Sequence, residues 1–143
     1  MRLSTKSRYA VTSLLDVAMY SDQGPVSLAD ISRRQGVSLS YLEQLFAKMR
    51  RHDLVNSTRG PGGGYLLSRK PEEIDISTIV LSVDEQLKVV NKDALSNGVD
   101  FEPCLTEILW DELSDEITEY LSGISLAEMM QQEEVIDQLT PSK

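Results

Sequence analysis

The sequence predicts a mainly α-helical fold with a small β-wing, in which a winged helix-turn-helix is followed by a long C-terminal helix. Two observations predict the first part. Two short helical segments meet at Gly36, and two short strand segments flank the glycine-rich stretch 59–64. The long helix is predicted by apolar residues at helical spacing over Leu105–Leu121. A chain of 143 residues suffices for one small domain and an assembly element.

The first two helices are predicted from periodicity and capping residues. Ser4–Tyr20 is helical because small and apolar residues recur every three or four positions: Ala10, Val11, Leu14, Leu15, Val17 and Ala18. Turn-forming residues over Ser21–Pro25 end this helix. Ser27 is then the N-cap of a short second helix, which runs to Arg34 and ends at Gly36.

A third helix is predicted from its N-cap, Ser38, to about His52. Four apolar residues at spacing i, i+3, i+4 and i+7 must face the core: Leu42, Leu45, Phe46 and Met49. The opposite side is polar around one small residue: Ser40, Gln44, Ala47 and Arg51, flanked by Glu43 and Lys48. Such a face fits a DNA major groove, which is about 12 Å wide and admits an α-helix.

We therefore expect six positions of the third helix to contact DNA: Ser40, Tyr41, Glu43, Gln44, Lys48 and Arg51. Glu43 is of particular interest, because a carboxylate accepts a hydrogen bond from cytosine N4 but repels phosphates. It would discriminate between bases without adding affinity. The alternative for any one of these residues is an ordinary solvated helix face.

A glycine-rich wing is predicted after the third helix. Strands at Leu54–Thr58 and Tyr65–Ser68 flank Arg59–Gly64, which contains four glycines. Four wing positions are expected to lie against DNA: Arg59, Gly60, Gly62 and Gly63. Arg59 is placed to enter a minor groove, whose narrow A·T-rich segments attract a cation. A phosphate-cradling loop is excluded, because no Gly-Lys-Ser/Thr follows and the stretch joins two strands. A plain flexible loop remains the alternative.

The second half is predicted to be helical. Ile76–Val83 is a short apolar helix, Leu105–Leu121 is a longer helix ended by Gly123, and Ser125 caps a last short helix. One stripe of the long helix is assigned to a second protomer: Leu105, Leu109, Leu113 and Tyr120. An adjacent stripe is assigned to the helix's own winged domain: Trp110, Ile117 and Leu121. Two stripes indicate two packing partners.

The chain divides on this basis into four parts. Residues 1–85 form the winged helix-turn-helix domain, 86–103 a loop, 104–132 the dimerisation helix and a short terminal helix, and 133–143 a flexible tail.

Charge and composition limit where the protein resides and what it can bind. The net charge of −9 hides an asymmetry: residues 1–70 carry 11 Lys/Arg against 5 Asp/Glu, whereas residues 71–143 carry 3 against 18. A basic half is what attraction to phosphates requires, since screening makes only the local field matter. One cysteine, no secretory signal and no apolar run of membrane-spanning length predict a cytoplasmic protein without membrane contact. The sequence contains no recognisable nucleophile–base pair and no cofactor-binding motif, so we do not expect an enzyme.

Several segments together resemble the IscR-like, iron–sulfur cluster-sensing regulators of the Rrf-two family of bacterial transcription factors. The resemblance rests on Ser4 with Arg8–Val11, on Leu28–Ile31, on Ser38–Phe46 and on Arg59–Tyr65, and it resumes at Cys104–Thr106, Leu109–Trp110, Asp115 and Leu126. The family implies a homodimer of winged-helix domains joined by a long C-terminal helix and bound to palindromic promoter sites. It also implies base-reading roles for four positions: Ser40, Glu43, Gln44 and Arg59.

One segment departs from that family. Cluster-holding members use three cysteines spaced six apart in the loop and a histidine three residues after the last. This chain has Lys92, Gly98, Cys104 and Glu107 at those positions. Cluster irons need four protein ligands, normally thiolates with an occasional imidazole. We therefore expect no cluster, no other cofactor and no metal, and Cys104 is the only remaining cluster-ligand position.

Three roles stay open for Cys104: an inert buried thiol, a redox sensor, or a ligand of a different metal site. The sequence thus predicts a transcription factor, most simply a repressor, that binds double-stranded DNA as a homodimer. A small molecule or a partner protein could control it. The alternatives are a redox- or metal-responsive regulator using Cys104, and a protein-interaction module without DNA binding.

Overall fold

The computed structural model confirms a mainly helical chain with a two-stranded antiparallel wing. It describes residues 5–84 and 105–139, with the backbone alone for Leu105 and for 133–139. The helices are α1 (Thr5–Tyr20), α2 (Leu28–Gln35), α3 (Leu39–Arg51), α4 (Ile76–Val83), α5 (Leu105–Ser122) and α6 (Leu126–Leu139). The strands are β1 (Val55–Thr58) and β2 (Gly64–Leu67), and short 3₁₀ turns occupy Ser21–Gln23 and Pro71–Glu73. Loop 86–103 and Cys104 lie outside the described residues.

The capping residues predicted for α2 and α3 are confirmed. The hydroxyls of Ser27 and Ser38 each accept a backbone N–H of the first helical turn, at 3.1 Å and 3.2 Å. Gly36 takes the left-handed conformation (φ 69°) and its N–H bonds to the carbonyl of Ser32, which ends α2. Because residues other than glycine rarely adopt this φ, the turn between the two helices depends on Gly36.

One continuous core lies under α1, α3 and α4. The predicted inward residues of α3 are its largest contributors, with Leu42, Leu45, Phe46 and Met49 all fully buried. Further members come from α1, α4 and the start of α6, among them Leu14, Val17, Ile79, Val80 and Leu126. The core therefore fixes the inner side of α3 and leaves its other side exposed.

The wing pairs over four residues, from Val55 opposite Leu67 to Thr58 opposite Gly64. Strand β1 begins one residue after its predicted start and ends at Thr58 as predicted, and β2 lies one residue earlier than predicted at both ends, as is common at element ends. The sequence did not predict a further backbone pairing beside the wing. Val26 and Tyr65 exchange backbone hydrogen bonds of 3.0 Å and 2.8 Å. This bridge ties the wing to the segment before α2.

The C-terminal helices are anchored to the winged domain through backbone bonds. Ile76 N–H donates to the carbonyl of Ile124 at 2.9 Å, and Leu126 N–H donates to the carbonyl of Ile74 at 2.8 Å. Helix α6 is longer than the short terminal helix that the sequence predicts, because no glycine or proline interrupts 126–139 and Pro141 follows.

Asp75 caps α4 at the same place. Its carboxylate accepts the N–H and the hydroxyl of Thr78 and the hydroxyl of Ser77, each at 2.7 Å. Partial burial alone would raise the pKa of Asp75, but these hydrogen bonds outweigh it, so the pKa lies below its usual value of 3.8.

Candidate nucleic-acid interface

The outward side of α3 forms a polar surface that the core does not use. We call it the recognition face, and its members are Ser40, Glu43, Gln44, Ala47 and Arg51, all exposed. Its position follows from the helix period, because the fully buried residues of α3 occupy the other side. Ala47 at its centre carries no side chain beyond Cβ, so a flat surface can approach the helix backbone closely. The predicted division of α3 into two faces is confirmed.

Exposed cationic side chains lie at the C-terminal end of α3 and at the end of β1. Arg50 and Arg51 lie in the last turn of α3 and are exposed, and Arg59 is exposed where β1 ends. The one carboxylate of α3 is Glu43, also exposed. A surface of this kind attracts phosphates over most of its area and repels them at one point.

Two residues predicted to contact DNA sit differently from the others. Tyr41 is half-buried, and its ring stands edge-on to that of Tyr9 with 5.7 Å between centroids. Lys48 is half-buried as well. Tyr41 thus joins α1 to α3, and any contact of these two residues with DNA stays a prediction.

The wing tip is narrow because its glycines let the backbone fold tightly on itself. Gly63 donates its N–H to the carbonyl of Gly60 at 2.9 Å, and a Cβ on Gly63 would collide with the carbonyl of Thr58. Gly60 and Gly62 are exposed at the tip, beside Arg59. The base of the wing is rigid, since Tyr65 packs on Phe46 with ring centroids 4.9 Å apart.

Sequence reasoning missed an ion pair that positions the helix-turn-helix on α1. Arg34 donates to the Asp16 carboxylate from Nε at 3.0 Å and from Nη2 at 2.6 Å, and Gln35 Nε2 donates to it at 2.8 Å. The Arg34 guanidinium also lies 4.0 Å from the ring centroid of Tyr20. Hydrogen bonding to Asp16 raises the pKa of Arg34 further above its usual value. The signal that could have revealed it is a lone carboxylate, Asp16, within the apolar stripe of α1.

Helix α5 presents a broad exposed apolar surface, formed by Ile108, Leu109, Trp110, Leu113 and Tyr120. Tyr120 is 71% exposed and Leu109 is 56% exposed. On the inner side Ser114 is buried, and Ile117 and Leu121 are half-buried. Trp110, assigned from the sequence to the inner stripe, is instead 47% exposed although its angle lies between those of Ile117 and Leu121, because the described part of the protomer buries α5 only from Ser114 onward. The side chain of Leu105 lies outside the described part.

Within residues 5–84 and 105–132, no three His, Cys, Asp or Glu side chains lie close enough together to hold a metal ion. Glu107, at a position where the resembled family has a ligand, is half-buried in the first turn of α5. No helix of the described chain is long and apolar enough to cross a membrane.

Comparison with known proteins connects this geometry to a family. A profile of the Rrf2 family, described as iron-dependent transcriptional regulator, matches residues 3–132. The chain is 50% identical over 137 residues to the HTH-type transcriptional regulator IscR of Sodalis glossinidius (strain morsitans), covering 96% of this chain and 83% of that protein. It is 52% identical over 137 residues to IscR of Photorhabdus laumondii, covering 96% and 84%.

Solved structures agree. T. potens IscR superposes with a TM-score of 0.76 at 34% identity, covering 100% of this chain and 93% of that one. CymR, the global cysteine regulator of B. subtilis, superposes with a TM-score of 0.75 at 31% identity, covering 92% and 98%.

Proposed function

Because this chain belongs to the Rrf2 family of transcriptional regulators, we propose that it acts as a homodimer on palindromic duplex DNA without holding an iron–sulfur cluster. That it is a sequence-specific transcriptional regulator of the IscR type, and not an enzyme, follows from the family itself. The dimer, the palindromic sites and the independence from a cluster are the proposal.

The observation that carries the DNA-binding mode is the recognition face beside the wing. Helix α3 enters the major groove, where Ser40, Glu43 and Gln44 reach base edges from its N-terminal half. Arg59 and the wing tip lie in the neighbouring minor groove. The rigid core under α3 supports this reading, since a mobile helix could not discriminate between bases.

The homodimer is supported by the exposed apolar surface of α5. Side chains such as Leu109 and Tyr120 are exposed to solvent on one protomer. A twofold axis that places the two copies of this surface against each other would bury both at once. Two recognition helices would then lie about 34 Å apart, one turn of DNA. A palindromic site follows from that symmetry.

Independence from a cluster is supported by the donor set. The chain has one cysteine and one histidine. His52 is the C-cap of α3, at the end of the recognition helix, and not on the dimerisation helix. Even a cluster shared across the dimer would have only two thiolates, whereas four ligands are needed. These residues do not fit an iron–sulfur cluster, so a cluster would not control DNA binding in this chain.

The DNA-binding proposal is tested by mobility shift on duplexes selected from a random library, at 50 mM salt and above. We expect a dimer on a palindrome, with affinity that falls steeply as salt rises. If the protein binds no duplex at about 50 mM salt, the result would instead favour the alternative of a protein-interaction module without DNA binding.

The absence of a cluster has its own test. An absorbance spectrum of anaerobically purified protein should have no visible 2Fe–2S band, and iron analysis should find no stoichiometric metal. A visible band would overturn the ligand argument while leaving the DNA-binding proposal intact.

A further inference from the structure

Leu39 is an apolar residue in an unexpected place. It is the first residue of α3 and is 45% exposed, while the other leucines of that helix, Leu42 and Leu45, are at most 1% exposed. Among the described residues, the side chains packed against the core include the half-buried Leu28 and Tyr41 but not Leu39. Packing within the described part of the protomer therefore does not account for a leucine at this position.

Its location places it beside the recognition face. Leu39 precedes Glu43 by four residues, so the two side chains are neighbours on one side of the helix, with Cβ atoms about 5–6 Å apart. The hydroxyl of Ser38 accepts the N–H of Tyr41 at 3.2 Å, which fixes the first turn and with it the position of Leu39. N-terminal residues of a recognition helix are the ones that reach base edges.

We propose, on the basis of the DNA-binding mode above, that Leu39 determines specificity by packing on the C5-methyl group of a thymine. Among the four bases, the thymine methyl is the apolar feature of the major groove. Cytosine presents an amino group and guanine presents acceptors, neither of which gains from contact with a leucine. An exposed leucine among polar residues is thus matched to one base.

The helix geometry also predicts which thymine. Four residues of an α-helix advance by about 6 Å, which corresponds to one or two base-pair steps of about 3.4 Å. The thymine therefore lies one or two base pairs from the pair that contacts Glu43. Leu39 and Glu43 together therefore contact two nearby base pairs. Leu39 makes an apolar contact with one of them, and Glu43 accepts a hydrogen bond from the other.

The test begins with selection of a preferred duplex from a random library by the intact protein. Each thymine of the selected site is then replaced singly by deoxyuridine, which removes the methyl group and keeps every hydrogen-bonding atom. At one position in each half-site we expect about fourfold weaker binding by the wild type, the equivalent of ~0.8 kcal/mol for one buried methyl. Leu39→Ala should bind both duplexes equally.

Two variants serve as controls. Leu39→Met retains an apolar side chain of similar volume and should keep the preference for thymine. Leu81→Ala makes the same substitution at an exposed leucine of α4 (39% exposed), outside the recognition face, and should also keep it.

The inference is overturned if no deoxyuridine substitution weakens binding by the wild type, a result that needs no variant. It is equally overturned if wild type and Leu39→Ala lose affinity by the same factor at every thymine. Failure to select any duplex would instead remove the DNA-binding proposal on which the inference rests.

Discussion

The ion pair between Asp16 of α1 and Arg34 of α2 predicts that removing one partner lowers the free energy of unfolding more than removing the other. Asp16 has no exposed side-chain surface, whereas the side chain of Arg34 is 26% exposed. Removing Arg34 leaves a carboxylate inside the protein with only the amide of Gln35 as a charge-neutral partner. Removing Asp16 leaves a guanidinium that reaches water and still lies over the ring of Tyr20.

The expected magnitudes follow from that asymmetry. Arg34→Ala should lower the free energy of unfolding by about 3–5 kcal/mol, the usual cost of an uncompensated buried charge. Asp16→Ala should cost about 1.5–3 kcal/mol, the range for hydrogen bonds to a charged group. The double variant removes the stranded carboxylate and should be more stable than Arg34→Ala alone, although it has lost one more polar residue.

Urea denaturation followed by far-ultraviolet circular dichroism, at one fixed protein concentration, measures all three values. Arg33→Ala is the matched control, because Arg33 directly precedes Arg34 in α2 and pairs with Asp30 at 2.7 Å on the surface, where the two side chains are 73% and 44% exposed. That variant should lose less than about 1 kcal/mol. A double variant less stable than Arg34→Ala, or an Asp16→Ala loss larger than the Arg34→Ala loss, would refute the reasoning.

Three further predictions concern the cap of α4 and the DNA surface. Asp75→Ala should cost about 1 kcal/mol at neutral pH. Since the folded-state pKa of Asp75 is lowered, this stabilisation is complete above pH 3.8 and is lost as the pH falls below it, so the melting temperatures of the two proteins should converge in acid. Glu43→Ala should relax preference at one base pair while total affinity is kept or raised, and an equal loss for all sequences in a binding selection would contradict its role as a discriminator. Arg59→Ala should weaken binding by ~1–3 kcal/mol, chiefly at A·T-rich positions, whereas Arg69→Ala, of equal charge at the other end of the wing, should leave that preference unchanged in fluorescence anisotropy titrations.

The helices from α1 to α5 were predictable to within a few residues because their signals are local. The N-caps Ser27 and Ser38 and the C-terminal Gly36 act on backbone groups within one turn, so the sequence contains the whole interaction. The two faces of α3 were predictable for the same reason, since the helix period alone separates them. The terminal helix was predicted too short, because a polar composition there was taken to end it although no breaking residue occurs before Pro141.

The candidate site was predicted in outline and corrected in detail. Ser40, Glu43, Gln44 and Arg51 are exposed as expected. Tyr41 faces Tyr9 across the junction with α1, a contact that joins residues 32 positions apart (41 − 9) and has no signature in the periodicity of α3. Helical spacing gives an angle around one helix, but which angles are covered depends on where the other helices lie.

By itself, the sequence determined the order of the elements, the capped turn of the helix-turn-helix, the glycine wing and the loss of the cluster-ligand pattern, all of which depend on neighbouring residues or on residue identity. Only the tertiary structure decided which polar groups are buried and which apolar groups are not. Asp16 became a buried partner of Arg34, Val26 became a third strand position beside Tyr65, and Leu39 was left in solvent next to Glu43. The physical reason is that burial is a property of the packed whole: it arises only when segments distant in the chain remove the same surface from water.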